Sequence, residues 1–482
     1  MAAVDCFAGK ATGVYRARKP ATSPLWQCIN SHFDDFLLTY PNKYEHKLGF
    51  LRPVIPRVVN KFLDCGDLVH GFARIRCKQC GHEYLLAFSC KGRWFCPACH
   101  QKKVLLFGEF VAESLTFPVP HRHYVFTIPK LLRPCFQYHR ELLKDLCAVA
   151  QKCLIEFMRT MLDIPDGSPG VIMAIHTFGD YADFHPHLHA LVADGLFTKS
   201  GMFYVLPEGG MKALEETFRN RVIAMLVKKE LLPAERARML LSWVHSGFNV
   251  HHSRRIWPKE RIDLEAIAQY IIRNPFAEDK MTVDPRTGLV TYRSKTNIKH
   301  KRNYEEFSSV DFIARITQHI PDTGAQMVRY YGWYSNKSRG LRAKREREGG
   351  VEINLQSMVL SLQSVDVSDY QPRRVASKKW RELIKKVWEV DPLICPHCQG
   401  EMKMIALIDD AAVVSCILKH LGLWPEFWQV CQQAEHERGP PVLEVAERVD
   451  YEHYFSDPIP ACQGVASERR LDYDTCEVIF TE

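Results

Sequence analysis

Two histidines, one tyrosine and three pairs of cysteines are the residues of this 482-residue chain whose types and spacing could do chemistry. In Phe184-His185-Pro186-His187-Leu188-His189-Ala190-Leu191-Val192 the pattern reads as a strand entered from a polar turn, Gly179-Asp180-Tyr181-Ala182-Asp183. Side chains alternate faces along a strand, so His187 and His189 point the same way. Two imidazoles one step apart on one face can chelate a single divalent ion. Tyr270 falls on an expected amphipathic helix over 263–273, with Leu264, Ile267 and Ile271 as its apolar stripe and Pro275 as its stop. At the edge of that stripe it reads, taken alone, as an interfacial tyrosine.

The cysteines carry the strongest local signal. Cys77-x2-Cys80 is followed by Cys96-x2-Cys99, the spacing of a four-thiolate zinc site with no open position, hence a structural one. Cys65, Cys90, His70, His82 and His100 lie close by and could complete a second site. A third pair, Cys395-Pro396-His397-Cys398, finds its nearest completion in Cys416-x3-His420, unless it is a lone half-site. Seventeen cysteines, six of them in three such pairs, with no apolar signal segment at the N-terminus, suit reduced metal-binding thiols and an intracellular, cytoplasmic protein. No apolar run reaches the length of a membrane span.

The elements that must position these residues follow from periodicity. Strands are expected over 123–128, 170–178 and 185–197, with a long helix over 138–162 between the first two. Strand, helix, strand, turn, strand is the order of a split βαβ-like sheet with helices on one face, an α+β fold. Further helices are expected over 211–232 and 233–244. His121-Arg122-His123 has same-face spacing too, but its central arginine and Pro120 suit a strand entry. The length implies two or three domains. The expected division is 1–105, helical and zinc-binding; 106–350, the sheet domain; and 351–482, a helical region with the third cysteine pair and an acidic tail.

Charge is unevenly distributed. The net of +8 conceals 16 acidic against 6 basic residues from Glu401 onward, so the first 400 residues carry +18. That is the electrostatics of a polyanion binder. From Arg293 to Arg347 there are 13 basic and 5 acidic residues, interleaved with Tyr304, Tyr330, Tyr331, Trp333 and Tyr334. Arg293, Lys295, Lys299, Lys301, Arg302, Arg329, Arg339 and Arg342 could pair with phosphates while Tyr330, Tyr331 and Trp333 stack on unpaired bases. The alternative is a segment whose rings are core and whose charges face solvent.

Taken together, the sequence resembles the transposases of rolling-circle insertion sequences, HUH endonucleases with an N-terminal zinc-binding domain. The resemblance rests on Phe88-Ser89-Cys90-Lys91 ahead of Cys96-Pro97-Ala98-Cys99, on His185-Pro186-His187-Leu188-His189, and on Tyr270-Ile271-Ile272-Arg273-Asn274-Pro275. His319-Ile320-Pro321, Arg329-Tyr330-Tyr331-Gly332 and Asp391-Pro392-Leu393 with Cys395-Pro396 follow in family order, spanning roughly residues 60 to 420. It implies an HUH-type antiparallel sheet with flanking helices. His187 and His189 would hold Mg²⁺ or Mn²⁺, and Tyr270 would attack single-stranded DNA at insertion-sequence ends to give a 5′-phosphotyrosine. Structural Zn²⁺ would occupy the thiolates of a nucleoid-associated bacterial protein. Some members carry a second tyrosine where this chain has Asn274, so a two-tyrosine exchange within one site is not expected. Asn274 is then a candidate third metal ligand, with His176 and His185 as rivals. A noncatalytic zinc-dependent DNA-binding protein, or a replication initiator or relaxase of the same chemistry, are the alternatives.

Overall fold

The computed structural model describes residues 20–92, 94–244, 246–284, 286–294, 303–347, 363–372, 382 and 391–424. They fall into two units that interleave along the chain, where the sequence suggested consecutive segments divided at 105 and 350. The larger is drawn from Arg16–Gly66 and Ser89–Ala376, the smaller from Asp67–Phe88 and Ser377–Phe480.

The small unit is a three-stranded antiparallel sheet. β1 (Phe72–Cys77) lies between β2 (Glu83–Ala87) and the strand Met402–Ile408, with Cys77 opposite Met402.

The large unit is organised on a five-stranded antiparallel sheet. β3 (His121–Thr127), β4 (Gly170–Phe178) and β5 (Phe184–Ala193) are joined by the strands Asn249–His252 and Val328–Gly332. The order is Val328–Gly332, β4, β5, β3, Asn249–His252. Every residue of β4 is buried, as an apolar run in mid-sheet must be when both faces are covered. Register fixes the faces: Ile175, Leu188 and Phe126 form one row across the three strands, and His176, His187 and Thr127 the next. Directly opposed residues share a face. The Phe126 row is apolar and meets Phe218 of the helix Met211–Lys228 at 5.0 Å between rings, in the core that also takes the stripe of the helix Leu142–Leu162. The histidine row lies on the other face.

Three expected elements are shorter than their sequence patterns suggest. The 138–162 helix begins at Leu142, after a separate turn Arg133–Tyr138. The strand expected to run to Phe197 stops at Ala193, because Asp194 turns a fully buried carboxylate to Arg122 (2.7 Å) and Arg255 (2.5 Å). Gly195–Phe197 then starts another sheet with Met202–Val205 and Ser364–Asp366. The helix bearing Tyr270 is Arg261–Tyr270, so the tyrosine is its last residue.

A second core of the large unit packs the helices Pro24–Lys43, Val54–Leu63 and Ser309–Thr317 with Phe276, Val290 and Phe307.

The aromatic tract is mostly interior. Trp333 stacks on Phe197 at 4.8 Å with planes 5° apart, and Tyr334 is fully buried, donating its hydroxyl to His121. Between strand and tryptophan, Gly332 has φ +59°, and a Cβ there would stand 1.9 Å from the Pro169 carbonyl oxygen, so only glycine fits.

Candidate metal and tyrosine site

Three histidines converge on the face of the sheet opposite the Phe126 row. β5 supplies His187 and His189, and pairing with β4 sets His176 directly opposite His187. One ring nitrogen from each of the three lies within 4.8 Å of the others. Their remaining nitrogens fix the tautomers. His187 Nδ1–H donates to the His185 carbonyl (2.7 Å), which leaves Nε2 as a lone pair facing His189 Nε2 at 3.0 Å. His189 Nδ1 meets His123 Nε2 at 2.7 Å. His176 Nε2–H donates to the Ile271 carbonyl (2.7 Å), and its Nδ1 is buried with no hydrogen-bond partner.

With His189 donating from Nδ1 to His123, the Nε2 lone pairs of His187 and His189 face each other and a cation between them relieves that contact; in the other tautomer His189 Nε2–H donates to His187. Burial also keeps the rings neutral. It pulls His187 and His123 down to about 4, and His189 and His176 far below the ordinary histidine value. Neutral imidazoles, each oriented through its second nitrogen, are what a divalent ion requires. The residues present therefore fit a metal. An all-imidazole set suits Mn²⁺ or a softer ion better than Mg²⁺.

Tyr270 stands at the rim, 40% exposed, its ring edge-on to His189 at 5.5 Å and to His123 at 5.9 Å. Arg273 lies over the Tyr270 ring at 4.4 Å and reaches the Phe178 ring at 5.4 Å. The backbone behind the tyrosine is anchored twice, by His176 on the Ile271 carbonyl and by His100 Nε2–H on the Ile272 carbonyl at 2.6 Å. His100 sits on the helix Pro97–Phe110, against which the tyrosine helix packs so closely that a Cβ on Gly108 would meet Gln269 Cγ at 2.5 Å.

Asn274 is corrected in its placement. The proposal that it shares a helix face with Tyr270 fails because the helix ends at Tyr270; its amide donates to the Phe276 carbonyl at 3.0 Å and its Oδ1 is buried without a partner. Of the two rivals, His176 joins the cluster and His185 acts through its backbone carbonyl. His123, set aside as strand entry, is at the site. It and Arg273 were missed, although same-face spacing in the first case and the i+3 offset from Tyr270 in the second were there to be read.

The thiols regroup as well. The expected quartet Cys77, Cys80, Cys96 and Cys99 is divided between two clusters. Cys96 and Cys99 assemble with Cys65 and Cys90, whose sulfurs are 3.5 to 3.9 Å from neighbours in the set. Cys77 and Cys80 assemble instead with Cys395 and Cys398. The reason is strand pairing: β1 carries its terminal pair to the start of Met402–Ile408, where the third pair already stands. The expected partners Cys416 and His420 are exposed on the helix Ala411–His420, whose buried residues are Val414 and Leu418.

Of the basic tract, Arg293 is exposed at a strand end, while Lys295, Lys299, Lys301 and Arg302 lie outside the described residues. Tyr330, Tyr331 and Trp333 are half-buried against the main core, so their rings are engaged by the protein. Arg339 and Arg342, on the helix Asn336–Arg347, lie over Phe110 and Trp333 at 5.8 and 4.3 Å, and Arg329 is half-buried on the edge strand.

Known families account for this combination. Residues 33–128 match the "Transposase zinc-binding domain", and residues 170–341, which hold the histidine cluster and Tyr270, match the family described as "Putative transposase". Both segments are thus similar to insertion-sequence transposases, a class of protein whose partner is DNA. It is 25% identical over 345 residues to the "Transposase for insertion sequence element IS801" of Pseudomonas savastanoi pv. phaseolicola, covering 67% of this chain and 82% of that protein. It is 23% identical over 399 residues to "Putative transposase y4qJ" of Sinorhizobium fredii, covering 78% and 95% respectively. No solved structure matches the chain. Among the described residues no helix is long and apolar enough to cross a membrane.

Proposed function

We propose that this transposase cuts and rejoins single-stranded DNA at insertion-sequence ends through a covalent 5′-phosphotyrosine on Tyr270. The observation that carries this reading is the position of the Tyr270 ring, 5.5 Å from the ring of His189, at the exposed edge of an otherwise buried cluster. His187, His189 and His176 would hold the divalent ion, which when bound neutralises and orients the scissile phosphate. Around it the chain's own residues do the rest. Tyr270 Oη forms a bond to phosphorus as the bond to the 3′ oxygen breaks, and the phenol proton is balanced by the one gained at the new 3′-OH. Arg273, over the tyrosine ring, is placed to pair with phosphate charge. The His176 and His100 hydrogen bonds to the residues after Tyr270 keep the phenol from swinging off the site. Because the phosphodiester is conserved in the link, a second 3′-OH can displace the tyrosine without ATP.

Single-stranded DNA rather than duplex is supported by a nucleophile placed close to a buried cluster, which an unpaired backbone approaches more readily. Arg293 and Arg339 are among the described cations that its phosphates would meet. A labelled single-stranded oligonucleotide carrying the element's end, incubated with Mn²⁺, is expected to give a denaturant-resistant adduct that Tyr270→Phe lacks. The same sequence as blunt duplex is expected to give none. Equal adduct in Tyr270→Phe would remove the assignment, and no adduct with any end would favour a noncatalytic DNA-binding role.

A further inference from the structure

The cluster of Cys77, Cys80, Cys395 and Cys398 draws on both ends of the described chain, and Cys395 and Cys398 lie beyond the residues matched by the zinc-binding domain. Its two halves are built alike. In the first, Gly81 N–H donates to the Cys77 carbonyl (3.2 Å) and Cys77 N–H to the His82 carbonyl (2.7 Å). In the second, Gln399 N–H donates to the Cys395 carbonyl (3.0 Å) and Cys395 N–H to the Gly400 carbonyl (2.9 Å). The residue after the second cysteine turns left-handed in both, Gly81 at φ +76° and Gln399 at φ +60°. Each half is thus a Cys-x2-Cys turn closed by the same two hydrogen bonds, and each leads into a strand of one sheet.

The sulfurs are set for one ion. Cys77 Sγ lies 3.5 Å from Cys398 Sγ and Cys80 Sγ 3.5 Å from Cys395 Sγ, so the buried cysteine of each turn faces the exposed cysteine of the other. Four sulfurs on one zinc, at about 2.3 Å each, stand roughly 3.8 Å apart. Packing alone does not explain why these segments meet. The buried apolar cluster beneath the turns is Ile75, Cys77, Cys395 and Met402, while Met404, Ile405 and Leu407 of the third strand are exposed. A second small cluster joins Phe72 to Val414 and Leu418 of the helix Ala411–His420, so the unit rests on two small cores and a metal at the turns would add to them.

We propose that Cys77, Cys80, Cys395 and Cys398 form a second structural zinc site, a zinc ribbon assembled from two chain segments more than 300 residues apart. The ion fastens the C-terminal segment to the N-terminal hairpin. It is independent of the ion at Cys65, Cys90, Cys96 and Cys99, because those four thiols belong to the large unit and these four to the small one. In sequence, Cys65 and Cys90 stand beside the two points where the chain leaves and re-enters the large unit.

The test is the zinc content of the full-length protein by native mass spectrometry and elemental analysis. Wild type is expected to carry two zinc ions per chain, Cys398→Ser or Cys80→Ser one, and Cys90→Ser the other one. Cys416→Ser and His420→Ala are expected to keep two. Against the chance that a variant fails to fold, wild-type protein is alkylated and mapped. Cys77, Cys80, Cys395 and Cys398 are expected to resist together and to be released together by chelator, while exposed Cys416 reacts at once. One zinc per wild-type chain, two in Cys398→Ser, or rapid alkylation of Cys395 with zinc still bound at two equivalents would overturn the proposal. Tyr270→Phe should keep both ions, so the result is read separately from the cleavage chemistry.

Discussion

His100 is the residue through which the cysteine-rich module reaches the tyrosine, and its replacement by alanine makes the sharpest test of that link. Its ring is fully buried and both nitrogens are committed: Trp94 N–H donates to Nδ1 at 3.1 Å, and Nε2–H donates to the Ile272 carbonyl at 2.6 Å. The ring also packs on Trp94 at 4.7 Å between centroids. Alanine would leave a buried donor and a buried acceptor without partners, each costing about 1–3 kcal/mol, and would open a cavity beside Trp94. The expected loss is about 3–5 kcal/mol in urea unfolding of the large unit. Adduct formation should fall too, because the turn after Tyr270 loses one of its two anchors. His100→Gln keeps a donor toward Ile272 and should recover more adduct than stability. A change under about 1 kcal/mol, with adduct yield intact, would refute the idea that this hydrogen bond positions the nucleophile.

Three further outcomes follow from the same geometry. His123→Ala removes the partner of His189 Nδ1, so Mn²⁺ affinity measured by electron paramagnetic resonance should fall about 10–100-fold, and an unchanged affinity would contradict the orienting role. Asp194→Ala leaves Arg122 and Arg255 buried with the exposed Glu208 as the acid they still share, and should cost about 3–5 kcal/mol by urea denaturation. Acid should destabilise the fold. Burial lowers His121 to about 4 and His319 to about 3, so between those values and 6.5 the unfolded chain binds more protons, and stability falls as pH falls through that window. Each contributes about 2 kcal/mol of loss between pH 7 and pH 5, and a flat profile over that range would contradict the assignment of buried neutral rings.

The sheet was largely legible because its strands are apolar runs or strict alternations: 170–178 was read from its sequence, and His187 and His189 were seen to share a face. His176 could not be selected by the same means, since its place opposite His187 depends on the register of β4 on β5, which no local pattern encodes. The cysteine spacing marked three metal-binding turns, but which turns pair is decided by β1 joining a strand more than 300 residues away. A proline stop puts the end of the tyrosine helix near Arg273, whereas the helix ends at Tyr270 and the carbonyls of Ile271 and Ile272, left without helical donors ahead of and past Pro275, are taken by buried histidines. Trp333 and its neighbours show the limit of composition. A ring between cations suits a base-stacking surface, and the same ring suits a core once Phe197 lies parallel to it.

The most direct measurement is to digest the adduct formed with Mn²⁺ and a single-stranded end, and to locate the nucleotide by mass spectrometry. The account predicts a 5′-phosphoryl nucleotide on the peptide containing Tyr270, its yield lost in Tyr270→Phe and in His187→Ala. A nucleotide carried by any other tyrosine, or attached through its 3′ end, would contradict it.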